Sequence, residues 1–322
     1  MKRILLASLC LCLALAVPAW AGPKRITIAT AGTAGALYPM GVAMAETINR
    51  HAKGFAASAE ASAGSLQNLR NLAAGKVDWG ISMNEAAYLA YHGLDKWRGR
   101  PVKEIRSLFG TLISWLQIFA PADSPLKTVA DFKGRRIGLG APGSGGEQAA
   151  RRVLAYYGLS YQDIKPEFMS NPEMVAALKD GTLDAFIITH PLRSAALMDL
   201  TSSFKVKLIP VADPGFYRKY PYYTMRQIPA GTYPGVKQAV PTPTNRVNMY
   251  VSTRSGLSAD DVYALLKAVW DHADEWRGVH PAVKRYTTLK DALVAIKVPL
   301  HPGAVRFYRE RGFTIPARLL AK

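Results

Sequence analysis

From Arg25 onward, short apolar runs alternate with longer stretches in which apolar residues recur every three or four positions. The runs read as strands: RITIAT (25–30), AASAEASA (56–63), VDWGISM (77–83), IRSLFGTL (105–112), LQIFAPA (116–122), RRIGLG (135–140), IKPEFM (164–169), LDAFIIT (183–189), VKLIPV (206–211) and NMYVST (248–253). Helical spacing appears at 37–52, 65–75, 84–93, 144–158, 171–181 and 258–276, and several of these stretches close on Gly, as a helix C-terminus prefers. Strand and helix in alternation predict an α/β architecture.

The segment FAPADSPLKTVADFKGRRIGLG (119–140) begins a second strand, turn and helix series resembling the first. Two lobes follow, with a crossover near Phe119 to Ser124 and a return through VPTPTN (240–245), so that a cleft lies between them. The expected division is a first lobe of 22–119 plus 241–322 and a second of 120–240. No low-complexity tract or short-period repeat interrupts this reading.

The first 21 residues belong to a different category. Lys2 and Arg3 precede an apolar stretch too short to span a bilayer comfortably, and Ala19-Trp20-Ala21 is a small-residue cleavage site. A signal peptide cleaved after Ala21 is expected, and with it a periplasmic location. Both cysteines, Cys10 and Cys12, lie in that segment, so the mature chain has no thiol chemistry. Removing Lys2 and Arg3 leaves 39 basic residues against 23 acidic ones, a formal charge of +16 that favours anionic partners. The basic residues are dispersed and form no stripe or arm, and an exported chain does not meet nucleic acid, so no nucleic-acid partner is expected.

Thr30 to Gly41, TAGTAGALYPMG, joins a strand to a helix through a turn made almost wholly of Gly, Ala and Thr. Such a turn lets backbone N–H groups and the positive end of the helix approach an anion directly. The device recurs at Gly64-Ser65, at Asn84 and at Gly143 to Gly146, each ahead of a helix. Each start also reads as ordinary capping: Ser65 and Asn84 suit an N-cap, and Ser144 with Glu147 suits a capping box.

Catalytic patterns are weak. Gly138, Gly140 and Gly143 match Gly-x-Gly-x-x-Gly with Asp163 twenty residues on, but Pro142 stiffens the turn. Neither Ser65 nor Ser144 lies in Gly-x-Ser-x-Gly. The histidines (51, 92, 190, 272, 280 and 301) show no metal-ligand spacing. No catalytic residue, metal or cofactor is expected. His190 alone follows a buried-strand pattern, where α/β sheets place ligands. Aromatic residues gather in 216–235, which reads as an extended connector.

These stretches resemble the TAXI group of solute receptors for TRAP transporters. The resemblance covers nearly all of the mature chain and is carried by TAGTAGALYPMG, GSLQNLRNLAAGKVDWGISMNEAAYLAYHG, GAPGSGGEQAARRVLAYYGLSYQDIK, LKDGTLDAFIIT, KYPYYTMRQIPAGTYPG and VPLHPGAVRFYRERG. It implies a two-lobed, type II periplasmic binding protein, hinged, monomeric and without enzymatic activity. Such a receptor closes on a small organic anion, glutamate-like or dicarboxylate, and delivers it to a TRAP-type membrane permease. Ligand contacts carried over by position are Thr33, Ala34, Gly35, Tyr38, Ser65, Asn84, Ser144, Gly145 and Gly146. Ala31 and Ala34 replace family glycines, Gly146 stands for a usual Thr, and Glu85 for a common Asp. His190 and Arg193 occupy positions where the family has small or neutral residues, and one of them is expected to read a carboxylate. A sensory receptor signalling through a membrane kinase is the alternative use of the same cleft.

Overall fold

The computed structural model describes residues 22–321, so the expected signal peptide lies outside the described residues. The first lobe opens with β1 (Lys24–Ala29), α1 (Leu37–His51), β2 (Phe55–Glu60), α2 (Ser65–Ala73), β3 (Trp79–Met83) and α3 (Asn84–His92). A long strand, β4 (Ile105–Pro121), leads into β5 (Arg136–Gly138), α4 (Gly145–Tyr156), β6 (Lys165–Glu167), α5 (Asn171–Lys179), β7 (Ala185–His190) and α6 (Ala195–Ser203). Then come β8 (Val206–Leu208), α7 (Pro214–Lys219), β9 (Thr224–Ile228) and a second long strand, β10 (Val240–Ser252). Four helices finish the chain: α8 (Ala259–Asp271), α9 (Ala273–Arg277), α10 (Pro281–Tyr286) and α11 (Pro302–Glu310).

The strand order is β2-β1-β3-β10-β4-β7-β5-β6, with β8 on β4 and β9 on β10. It reads the same from either end: β1 is flanked by parallel β2 and β3, and β5 by parallel β6 and β7. The series β1-α1-β2-α2-β3 thus recurs as β5-α4-β6-α5-β7, with antiparallel β10 and β4 at the centre. In such sheets the turns after the carboxyl ends of the strands carry the ligand, and here both halves present theirs.

Hydrophobic burial follows the same division. One core joins Ile26, Ile28, Trp79, Phe109, Met249, Trp270, Trp276 and Phe307, and the C-terminal helices complete it. Two others cover the faces of the second half-sheet, around Ile137, Val153 and Phe216 and around Phe119, Phe186 and Tyr233. β4 serves both halves, with Leu108 to Leu112 in the first core and Trp115 to Ala120 in the others. The fold is that of a two-lobed periplasmic binding protein.

Two strands predicted at 105–112 and 116–122 are this single β4, because Ile113, Ser114 and Trp115 continue the extended run without a breaker. VPTPTN, read as a connector, is the first half of β10. Pro241 and Pro243 are two residues apart, so their missing N–H groups fall on the same edge of the strand. β9 lies within the aromatic segment read as a connector and pairs with Val240–Thr244 of β10. The helix expected over 258–276 breaks at His272 into α8 and α9.

Candidate functional site

A cavity of about 450 Å³ lies where the two sets of turns meet. Five helices begin at its wall: α1 at Ala36 and Leu37, α2 at Gly64 and Ser65, α4 at Ser144 to Gly146, α5 at Asn171 and Pro172, and α6 at Ala196. A helix start carries unpaired N–H groups and roughly half a positive charge, so five of them make the cavity receptive to an anion. The rest of the wall combines apolar residues, Leu37, Ile81, Met83, Leu112 and Val247 among them, with hydroxyls such as those of Ser82, Ser114 and Thr189 and the His190 ring. Among the described residues that line it, none is Asp, Glu, Lys or Arg.

Local chemistry fixes these turns. Ser62 Oγ and Asn68 Nδ2 both donate to the Thr30 carbonyl, at 2.9 and 2.6 Å, and so hold the end of β1 against α2. A Cβ on Gly41 would sit 2.3 Å from Thr30 Cγ2, so α1 approaches this turn only with Gly there. Gly64, at φ +100°, takes a conformation open to glycine and leaves the first N–H groups of α2 free of any side-chain cap. Ser65 is therefore the first helical residue rather than the cap, and its Oγ accepts from Met83 N–H at 3.0 Å. Ser144 caps α4 by accepting from Glu147 N–H at 3.0 Å. The other half of the expected capping box is absent because the Glu147 carboxylate accepts from Tyr161 Oη at 2.5 Å instead.

The halves touch at this point. Leu66 N–H donates to the Gly143 carbonyl at 3.3 Å. A Cβ on Gly145 would lie 2.7 Å from both Met83 Sδ and Ser65 Oγ, so glycine is what permits the contact. His190, at the end of β7, places Nε2 3.8 Å from where a Cβ on Gly35 would stand. The His190 side chain is buried and its Nδ1 has no hydrogen-bond partner. Burial pushes its pKa down to about 4, which leaves the ring neutral near pH 7.

Of the residues expected at the site, Thr33, Ala34, Gly35, Ser65, Ser144, Gly145, Gly146 and His190 line the cavity. Tyr38, Asn84 and Arg193 do not. Tyr38 lies half-buried one residue into α1. Asn84 follows β3 with no intervening turn, and this directs it into the interior, where Oδ1 accepts from Arg246 N–H and Nδ2 donates to Ala295 O, both at 3.5 Å. Arg193 has φ 58° and lines a separate, open depression with Tyr233 and Lys237, its N–H 3.3 Å from Tyr233 Oη. Sequence reasoning missed Asn171, Thr189 and Met83. Ser170-Asn171-Pro172 carried a helix-start signal equal to those it used.

A second zone joins the halves, and it is charged. Glu85 is fully buried in the first turn of α3; its Oε2 accepts from Asn245 Nδ2 at 2.7 Å and its Oε1 faces Arg152 Nη1 at 3.7 Å. Arg152 and Arg151 of α4 both reach Asp95, at 3.6 and 2.6 Å, and Lys96 lies 3.9 Å from Glu147. Burial raises the Glu85 carboxyl above its ordinary range, against the pull of Arg152. These pairs run between the α3 side of the first lobe and α4 of the second.

Two mirrored half-sheets with helix starts turned onto a shared cavity define the periplasmic binding protein class. The chain matches the model of the NMT1-like family over residues 28–312 and belongs to that family. A curated Escherichia coli (strain K12) protein named for binding aliphatic sulfonates is 37% identical over 81 residues, a quarter of each chain. Among solved structures, PhnD1 from Prochlorococcus marinus (MIT 9301), in complex with methylphosphonate, aligns with TM-score 0.53 at 10% identity, over 78% of this chain and 85% of that one. A structure described as an L-cystine ABC transporter from Listeria monocytogenes aligns with TM-score 0.51 at 16% identity, over 82% of this chain and 98% of that one. These likenesses agree on the fold and do not single out the TAXI group or TRAP transporters.

Proposed function

We propose that this chain is a periplasmic solute receptor that captures a small organic monoanion with an apolar body, a sulfonate or carboxylate, and presents it to a membrane permease. The observation that carries this reading is the cavity itself, five helix starts around an apolar wall without a charged side chain. Hydrogen-bond donors and dipoles suit an anionic head, and Leu37, Ile81, Leu112 and Val247 suit its tail. A glutamate-like ligand brings an ammonium group, and among the described residues this wall offers it no carboxylate partner. The sulfonate name of the Escherichia coli relative agrees with a monoanion.

We place the lobes near the expected bounds of 22–119 with 241–322 and 120–240, turning on β4 and β10, with the crossover in β4 drawn back to between Leu112, in the first core, and Trp115, in the second half. Ligand bridging the turns shifts the lobes toward a closed form in proportion to its preference for that form. We assign the permease to the ABC type, the type named for the Listeria monocytogenes structure; a TRAP permease is the alternative that the sequence resemblance offers. Neither step involves chemistry on the ligand.

The test is a thermal-unfolding screen of mature protein, unfolded and refolded to strip carried-over ligand. Alkyl sulfonates and monocarboxylates are set beside glutamate, dicarboxylates, sugars and cations. A ligand at 100 times its Kd adds about 2.7 kcal/mol, a shift of several degrees for a chain of this size. Stabilisation by monoanions that disappears in Gly145→Val, whose side chain obstructs Met83 and Ser65, supports the assignment. Stabilisation by dicarboxylates, sugars or cations alone overturns it.

A further inference from the structure

Away from the cavity, in the first lobe, two chain segments bring two imidazoles and a carboxylate together. His51 ends α1, His272 stands at the break between α8 and α9, and Glu275 lies in the first turn of α9. His51 Nε2 is 2.8 Å from Glu275 Oε1, and His272 Nδ1 is 3.5 Å from that same oxygen. One donor atom from each residue falls within 4.8 Å of the other two. We infer that His51, His272 and Glu275 form a surface site for a divalent transition-metal ion of the zinc, nickel or copper class.

The geometry suits such an ion. Bonds of about 2.1 Å in a tetrahedral shell need donors roughly 3.4 Å apart, a spacing these groups nearly have. The two rings are stacked, with centroids 3.4 Å apart and planes 7° from parallel, and because imidazole lone pairs lie in the ring plane, both rings must turn about χ2 on binding before those lone pairs converge. Arg50 fixes the carboxylate by donating from Nε and Nη2 to Oε2, at 3.1 and 2.7 Å, which leaves Oε1 directed at the imidazoles. Two nitrogens and one oxygen select for imidazole-binding metals over calcium or magnesium, which require a shell of oxygens. All three side chains are about a quarter to two-fifths exposed, so ions have access and a solvent molecule completes the shell.

The arrangement also explains why sequence spacing was silent. His51 is separated from the other two by more than two hundred residues, and only the packing of α1 on α8 and α9 unites them. A bound ion fastens the end of α1 to the α8–α9 junction and so ties the opening and closing segments of the first lobe together.

The experiment uses untagged mature protein treated with a chelator. Zn²⁺ and Ni²⁺ are titrated calorimetrically, and Cu²⁺ is added for electron paramagnetic resonance. One saturable ion per chain is expected, with hyperfine structure from two nitrogens, and affinity at least tenfold weaker in His51→Ala, His272→Ala and Glu275→Gln. Far-UV circular dichroism of the metal-free variants establishes that they fold. Absence of saturable binding, a copper spectrum without nitrogen coupling, or affinity unchanged in all three variants overturns the assignment.

Discussion

The cavity and the charged seam both lie between the lobes, yet they are built from opposite materials. Around the cavity, helix starts and hydroxyls face the ligand space, and no side chain among the described lining residues carries a fixed charge. Along the seam, Glu85, Asp95, Lys96, Glu147, Arg151 and Arg152 lie side by side, and Glu85, Glu147 and Arg152 are buried. A buried cation in the cavity would need a partner whenever the ligand was absent, whereas backbone dipoles are already fixed by the fold and tolerate water in its place. On the proposed function, selectivity would rest on neutral groups, while charged ones pair across the lobes.

The largest effect should come from the seam. Arg152→Met leaves Glu85 buried without its cation and should lower unfolding stability by about 3–5 kcal/mol in urea titrations, with Glu85→Gln in the same chain restoring most of the loss. Equal destabilisation in the single and double variants would separate Glu85 from Arg152 and dissolve the seam as a unit.

A smaller effect should come from the cavity through acid. The His190 ring titrates near 6.5 in the unfolded chain and at about 4 in the native one, chiefly because it is buried. Between these values the unfolded chain holds a proton that the native chain lacks. Stability from this group is therefore complete above pH 6.5 and is lost as the pH falls toward 4, on the order of 3 kcal/mol in all. His301, also buried and lowered to about 4, adds a similar limb, so His190→Gln should remove one of two such contributions from a pH series of unfolding midpoints. An unchanged acid limb would mean that the cavity admits a charged imidazole.

Arg193 should yield the smallest effect. It lines neither zone, and Arg193→Ala should change ligand affinity and stability by no more than about 0.5 kcal/mol. A tenfold loss of affinity by calorimetry would bring Arg193 into the site and give the cavity the cation it lacks here.

What the sequence disclosed follows from the range of its signals. Glycine-rich turns ahead of helices are local, so their neighbours alone pointed to Gly35, Ser65, Ser144, Gly145 and Gly146, which the fold brings to one cavity wall. Asn84 carried the same local signal, but the direct junction of β3 to α3 turned it inward to Arg246, and no neighbour announces that. The two prolines of β10 look like breakers in isolation; only pairing with β9 shows them to be strand residues. The seam was invisible because Glu85 and Arg152 are distant in sequence, as were His51 and His272. The lobed α/β plan was legible, whereas contacts that close over long separations were not.

One consequence of the unbroken β4 is mechanical. Its 17 residues, at about 3.4 Å each, form a ribbon of roughly 55 Å that runs from one lobe to the other. A ribbon paired along its length cannot fold at a single pivot without losing ladder bonds, but strands readily change twist by a few degrees per pair. If the lobes close as proposed, the motion would spread as torsion along β4 and β10, with the register shifts between Arg246 and Asn248 and between Met249 and Tyr250 as the expected soft points. On the proposed function, β4 and β10 would act as a spring that returns the lobes after each release.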